Sequence, residues 1–256
     1  TKLAPFNLEG VKGYVVTLKL GQETDTLDAD GQITAEREVS CTRQRVEEAL
    51  GPFRGKIRQK PPLYSAVKHR GVPLYRRARA GETPEVGERE AVIHSLELTE
   101  FSPPRVTLEV LCGRGTYIRS LGADLGRSLG CGAHVVELRR TRSGKFTLDQ
   151  ALTVEEVSRR AEEGRLKEKI LPLEEGVELE GRIRLDEKAA LRVRRGQPLR
   201  RSDLPGGEWK GLRKGQRWGL FQTRGGLLAI AEAEGEGGAG DGGNPPVLRI
   251  LRVFQG

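Results

Sequence analysis

The chain changes hydrophobic period between residues 105 and 130, and that change rules out an all-strand or all-helical reading of this stretch. RVTLEVLC at 105–112 sets Val106, Leu108, Val110 and Cys112 on one face by strict alternation, the pattern of a half-buried strand. Beyond GRGTY, Ile118, Leu121, Leu125 and Leu129 recur at helical spacing, and Gly130 stands where a helix stops. Tyr117 and Arg119 thus occupy a strand-to-helix junction. Two rigid elements hold such a connection while its side chains stay free to reach a ligand.

The flanking chain extends the same alternation of elements. YVVTLKLG predicts a strand with Tyr14, Val16, Leu18 and Leu20 on one face, and the polar GQETDTLDADGQ at 21–32 is expected to be a loop, having little to bury. A short helix fits 42–50, with Thr42 as N-cap and Val46, Ala49 and Leu50 inward. HVVELRRTRSGKF reads as a strand carrying Arg139, Arg140 and Arg142. TVEEVSRRAEEGRLKEK reads as a charged, solvated helix, and ILPLEEG at 170–176 as a linker, since Pro172 breaks the helical period. Short strands then follow, among them WGLFQ, GLLAIAEAE and VLRILRVF, in the spacing of a small β-barrel, with the glycine-rich 235–246 as a loop between two of them. The expected fold is α+β in two parts: a larger domain over 1–175 and a small basic β domain over 180–256.

Charge gives the chain a class of partner. The formal net charge is +8, and residues 182–224 alone hold thirteen Lys and Arg against four Asp and Glu. A polyanion fits that excess, and so does a well-solvated arginine-rich surface. In the 59–82 stretch cations alternate with aromatics: Lys68, Arg70, Arg76, Arg77 and Arg79 are placed to meet phosphates, and Tyr64 and Tyr75 to offer stacking faces. The bland reading is a solvated loop and helix. Cys41, Cys112 and Cys131 match neither a zinc nor a disulfide spacing, and His69, His94 and His134 are scattered, so no metal is expected. No apolar run approaches about eighteen residues and no secretory signal pattern opens the chain, so a cytoplasmic protein without a membrane partner is expected.

Four blocks carry a family resemblance: GQETDTLDADGQ at 21–32, KPPLYSAVKHRGVPLYRRARAGE at 60–82, GRGTYIRSLGADLGRSLGCGAHVVELRRT at 113–141, and the C-terminal GLLAIAE with LRVF. In this order they resemble the tRNA pseudouridine synthase B family. The resemblance implies a pseudouridine synthase fold with a largely antiparallel or mixed sheet, followed by a small RNA-binding barrel of the PUA kind. It implies a cofactor-free isomerase, monomeric, that flips a T-arm uridine of tRNA into a pocket, detaches the uracil and rejoins it through carbon. It also implies that the protein grips the T-arm and acceptor region. By motif, Tyr14 would pack against the flipped base, Tyr117 and Arg119 would line the pocket, and Leu138 would give an apolar wall. Asp28 would support the pocket, and Lys68, Arg70, Tyr75, Arg76, Arg79, Arg139 and Arg140 would hold RNA.

The family's nucleophilic aspartate lies in a Gly-His-Thr-Gly…Leu-Asp-Pro…Ala-Thr-Gly block ahead of the segment that matches TKLAPF. Arg119 would orient that carboxylate through a forked hydrogen bond. Because the chain begins at Thr1, it is expected to be a fragment, a product with a late start, or a tRNA binder that does not isomerise. Asp28, like Asp25 and Asp30, falls in a different block from the nucleophile. Read without the resemblance, Tyr14 and Leu138 could be ordinary strand and core residues, Arg119 a helix-end cap, and the whole an α+β metabolic enzyme with a basic surface.

Overall fold

The computed structural model describes residues 2–7, 10–204, 211–223, 225–234 and 246–254, which form two compact units. One is Leu8–Ala151; the other joins Leu152–Gly256 to Thr1–Asn7. The division falls ahead of the linker expected near Pro172, and it assigns the first residues of the chain to the second unit. The six helices among the described residues are α1 (Ala4–Asn7), α2 (Arg43–Ala49), α3 (Leu74–Arg79), α4 (Ile118–Leu129), α5 (Val154–Glu162) and α6 (Glu187–Arg194).

The unit Leu8–Ala151 holds β1 (Lys12–Leu20), β2 (Gln22–Thr24), β3 (Ile33–Glu36), β4 (Gly55–Gln59), β5 (Lys68–His69), β6 (Val72–Pro73), β7 (Arg89–Ser102), β8 (Arg105–Cys112), β9 (Ala133–Ser143) and β10 (Phe146–Thr147). Six of these form one antiparallel sheet in the order β10-β9-β1-β8-β7-β4. Alternation decides which face is buried. Val16, Leu18 and Leu20 of β1 and Val106, Leu108, Val110 and Cys112 of β8 go to the core. Val15, Thr17 and Lys19 stay partly exposed on the other face.

Helices α2 and α4 cover the buried face, with Ile118, Leu121 and Leu125 in the same core cluster. α4 lies close to the sheet because Gly122 and Gly126 face it: a Cβ on Gly126 would stand 2.2 Å from the Ala133 nitrogen, and one on Gly122 would stand 2.6 Å from Leu18 Cδ2. Gly130 ends the helix in the left-handed region at φ 83, as the sequence predicts. Thr42 likewise caps α2 by accepting the Arg45 N–H.

Two expectations need correction. The 21–32 stretch is not all loop, because β2 pairs antiparallel with β3 and buries Thr24 to 4% exposure. The charged helix does not run to Lys169. α5 stops at Glu162, Gly164 turns left-handed at φ 70, and Leu166–Lys169 forms a separate 3-10 turn.

The second unit curls a five-stranded sheet from β11 (Gly181–Leu185), β12 (Leu199–Arg200), β13 (Arg217–Gln222), β14 (Leu227–Ala233) and β15 (Pro246–Val253), ordered β11-β13-β14-β15-β12. All its pairings are antiparallel except β11 with β13. Ala189, Ala190 and Val193 of α6 pack on Ile183, Leu199, Leu220 and Leu248 inside the curl. A second cluster of Val177, Phe221, Leu227, Ile230 and Phe254 receives Leu3 and Phe6 from the other end of the chain. Asn7 Nδ2 donates to the Gly176 carbonyl at 2.6 Å, and Arg217 lies over the Phe6 ring at 5.6 Å. The glycine-rich residues 235–245, like Lys210 and Arg224 of the basic stretch, lie outside the described residues. No helix among the described residues is long and apolar enough to cross a membrane.

Candidate active site

The strand-to-helix junction at 113–119 is built by bonds from distant segments. Gly113 donates its N–H to the Val92 carbonyl at 2.8 Å, continuing β8 for one residue, and the Thr116 hydroxyl donates to the Gly113 carbonyl at 3.0 Å. Tyr117 is the extended N-cap of α4, with no capping bond from its own side chain. The buried Gln59 side chain binds both polar groups of the Tyr117 backbone, and the Ser120 hydroxyl donates to the Lys60 carbonyl at 2.8 Å.

Arg119, one residue into α4, gathers two further segments. Its Nη1 donates to the Thr26 carbonyl at 3.1 Å and to Asp28 Oδ2 at 2.8 Å; its Nη2 donates to the Tyr64 carbonyl at 2.7 Å. The two charged side chains are 24% and 25% exposed, so the pair sits where solvent screens it less than at an open surface. Asp28 is itself held from behind. Oδ1 accepts the Thr26 hydroxyl at 2.5 Å and the Asp30 N–H at 3.2 Å, while the Asp28 carbonyl accepts the Thr24 hydroxyl at 2.7 Å. Leu27, at φ 64, offers its carbonyl to the Val135 N–H at 3.1 Å, which fixes the turn to β9. Of the five N–H groups of Arg119, Nε–H and one on Nη2 make no hydrogen bond among the described residues.

Tyr14, Leu138 and Arg140 meet through register. Tyr14 pairs with Val110 and Arg140, and Val16 with Leu108 and Leu138. Directly opposed residues share a face, so all of them project toward the side that α4 covers. Val16 there is 1% exposed, yet Leu138 beside it remains 47% exposed. An apolar side chain thus stands open next to the half-buried Tyr14 ring. Arg139 pairs with Val15 and projects from the opposite face, so the two neighbouring arginines do not act on one surface.

Burial raises the Tyr14 phenol above its ordinary pKa; the nearby Arg140 charge opposes that rise and Cys112 adds to it. Lys12 is pushed down, first by burial and then by Arg140. Cys112 is pushed up by burial, against a hydrogen bond with Thr116 and the Lys12 charge.

The 59–82 stretch forms an arm. β5 and β6 make a hairpin whose turn, Arg70 at φ 50 and Gly71 at φ 83, presents Arg70 to solvent. α3 follows, anchored by the fully buried Leu74, with Lys68, Arg76 and Arg79 exposed. Arg79 lies over the Tyr75 ring at 5.7 Å, and Arg76 Nε donates to the Tyr75 hydroxyl at 3.3 Å. Arg77, grouped by sequence with the phosphate contacts, is instead ion-paired with Glu82 at 2.6 Å and 22% exposed. Sequence reasoning also missed Gln59, Thr26 and the Tyr64 carbonyl. Thr26 and Tyr64 meet Arg119 through their backbone carbonyls, which carry no residue-type signal.

Comparison with known proteins gives this arrangement its relatives. Residues 1–118 match the model of the TruB family pseudouridylate synthase (N terminal domain), and residues 119–178 match the tRNA pseudouridylate synthase B C-terminal domain. The tRNA pseudouridine synthase B of Pseudomonas paraeruginosa (strain DSM 24068 / PA7) is 44% identical over 212 residues, 82% of this chain and 70% of that protein. The tRNA pseudouridine synthase B of Geobacter sulfurreducens (strain ATCC 51573 / DSM 12127 / PCA) is 39% identical over 256 residues, 100% of this chain and 83% of that protein. Among solved structures, a Cbf5-Nop10-Gar1 complex gives a TM-score of 0.72 at 24% identity, covering 100% of this chain and 70% of that chain. An H/ACA RNP bound to a substrate RNA containing 2'-deoxyuridine gives 0.70 at 21%, covering 100% and 69%. These two share the fold with the chain.

Proposed function

The chain belongs to the TruB family of pseudouridylate synthases, and we propose from that membership that it isomerises a T-arm uridine of tRNA to pseudouridine. The reaction breaks the bond between ribose C1′ and uracil N1, turns the ring, and forms a bond from C1′ to C5; the C5 proton departs to solvent and N1 takes up a proton from it. Substrate and product are isomers at one oxidation level, so no oxidant or reductant is consumed. Because a stacked base hides the atoms that react, the nucleotide must first leave the helix.

The chain's own residues fit the roles in this reaction. Tyr14 gives the flipped uracil a ring to lie against, and the exposed Leu138 beside Val16 closes the apolar side. Tyr117 and Arg119 line the junction end, with Asp28 holding Arg119 in place. The observation that carries this reading is the state of Arg119: three of its N–H groups are spent on fixed partners. The two left over suit the nucleophilic carboxylate that the family pattern places ahead of the segment matching TKLAPF. Lys68, Arg70, Arg76 and Arg79 on the arm, with Tyr75, would grip the T-arm, and the basic second unit would meet the acceptor region through phosphates and shape. The protein would work as a monomer in the cytoplasm.

The test is release of label from a T-arm stem-loop carrying uridine tritiated at C5. It compares this chain with a form extended upstream to encode the aspartate block. Release by the extended form supports the isomerase; binding by both forms with release by neither would leave a tRNA binder.

A further inference from the structure

Tyr117 stands at the start of α4 in an extended conformation, φ −100 and ψ 106, with no capping bond from its own side chain. Something else must fix the rotation of its peptides, and that rotation sets how the Tyr117 ring and, two residues on, the Arg119 guanidinium leave the helix. Gln59 is placed to do it. Its Oε1 accepts the Tyr117 N–H at 3.1 Å, and its Nε2 donates to the Tyr117 carbonyl at 3.3 Å. The residue is 2% exposed and ends the edge strand β4, just ahead of Lys60 and the buried pair Pro61 and Pro62. Proline after Lys60 confines that residue to extended backbone, so the carbonyl that receives Ser120 is aimed as well.

Packing does not explain an amide here. A methionine would fill similar space without the cost of burying a donor and an acceptor, and a buried amide is tolerated because both its ends are matched. Both ends of Gln59 are matched to a single residue, the one that precedes Ile118 and Arg119. Resting on the isomerase reading above, we infer that Gln59 is a positioning residue for the isomerisation, acting through the Tyr117 backbone to fix the pocket side of the junction. It touches neither the base nor the reacting atoms. Its removal should therefore slow the chemical step and leave the grip on RNA intact.

The experiment uses whichever form of the protein isomerises the T-arm stem-loop, with two variants, Gln59→Met and Gln59→Glu. In Gln59→Met the single-turnover rate should fall roughly tenfold to hundredfold, the penalty of a slightly misplaced group, while Kd for the stem-loop stays within about twofold. Hydrogen exchange should speed up at the Tyr117 amide and not at sheet amides such as that of Leu108. Gln59→Glu still accepts the Tyr117 N–H, so Tyr117 protection should persist, with a rate between those of the wild type and Gln59→Met. A wild-type rate in Gln59→Met, exchange that rises evenly across the sheet, or loss of Tyr117 protection in Gln59→Glu would overturn the inference. If Gln59→Met does not fold, Gln59→Glu decides alone through protection and rate. Failure of the isomerase reading shows separately, as absence of tritium release from the wild-type protein, while the exchange measurement still reports on Gln59.

Discussion

Arg119 joins the turn at 26–28, the entry to the arm at Tyr64 and the start of α4. Arg119→Ala should therefore lower turnover by at least about a hundredfold, as loss of a preorganised charge does, with tRNA affinity nearly unchanged in a filter-binding assay. It should also cost about 1–3 kcal/mol of stability, because the Tyr64 and Thr26 carbonyls lose their donor. Asp28→Asn should fall between the wild type and Arg119→Ala, since an amide keeps a hydrogen bond to the guanidinium and loses the charge. Tyr14 makes a spectroscopic prediction. Its folded pKa is raised by burial, so the neutral phenol is favoured, and the stability this brings is present below the ordinary tyrosine pKa and lost as pH rises through the folded value. An absorbance titration should show a component above the usual tyrosine range, about 10, that Tyr14→Phe removes. The family blocks pointed to Tyr117, Arg119, Leu138 and Asp28, and the resemblance at KGYVV to Tyr14. They could not show that Asp28 and Arg119 touch, because 91 residues separate the two.

At the scale of elements, α4 can lie on β1 and β9 only while the positions facing them stay small. Gly126→Ala would drive a methyl into the backbone at Ala133, a contact of 2.2 Å that no rotamer relieves. Loss of about 1–3 kcal/mol is expected from such overpacking, read as a lower thermal midpoint; Gly122→Ala should cost less, because the Leu18 side chain it meets can move. The alternation in RVTLEVLC and the helical period after it made β8 and α4 legible, since one buried face imposes each. β2 was not legible. Its single buried residue is the polar Thr24, and its partner β3 carries the 55% exposed Ile33, so no hydrophobic pattern marks either strand. The end of α5 was misread for a related reason: a solvated helix leaves no apolar stripe whose end can be seen, and Gly164 alone stops it.

For the whole molecule, the sequence suggested two consecutive domains, and the contacts give a different partition. Leu3 and Phe6 belong to a cluster with Phe221 and Phe254, and a small amphipathic segment of this kind cannot be assigned to a distant sheet from pattern alone. Phe6→Ala should therefore destabilise the second unit and leave the six-stranded sheet as it is. The natural chromophores separate the two effects, because Trp209 and Trp218 lie in the second unit and all four tyrosines lie in the first. The tryptophan-monitored unfolding midpoint should drop while the tyrosine signal keeps its own; parallel shifts would refute the assignment. Between Asn7 and Leu152 the polypeptide thus leaves the unit of the curled sheet, builds the unit of the six-stranded sheet, and returns. The unit Leu8–Ala151 is a guest joined at both of its boundaries to one host. Loosening the host therefore reaches the guest from both boundaries at once.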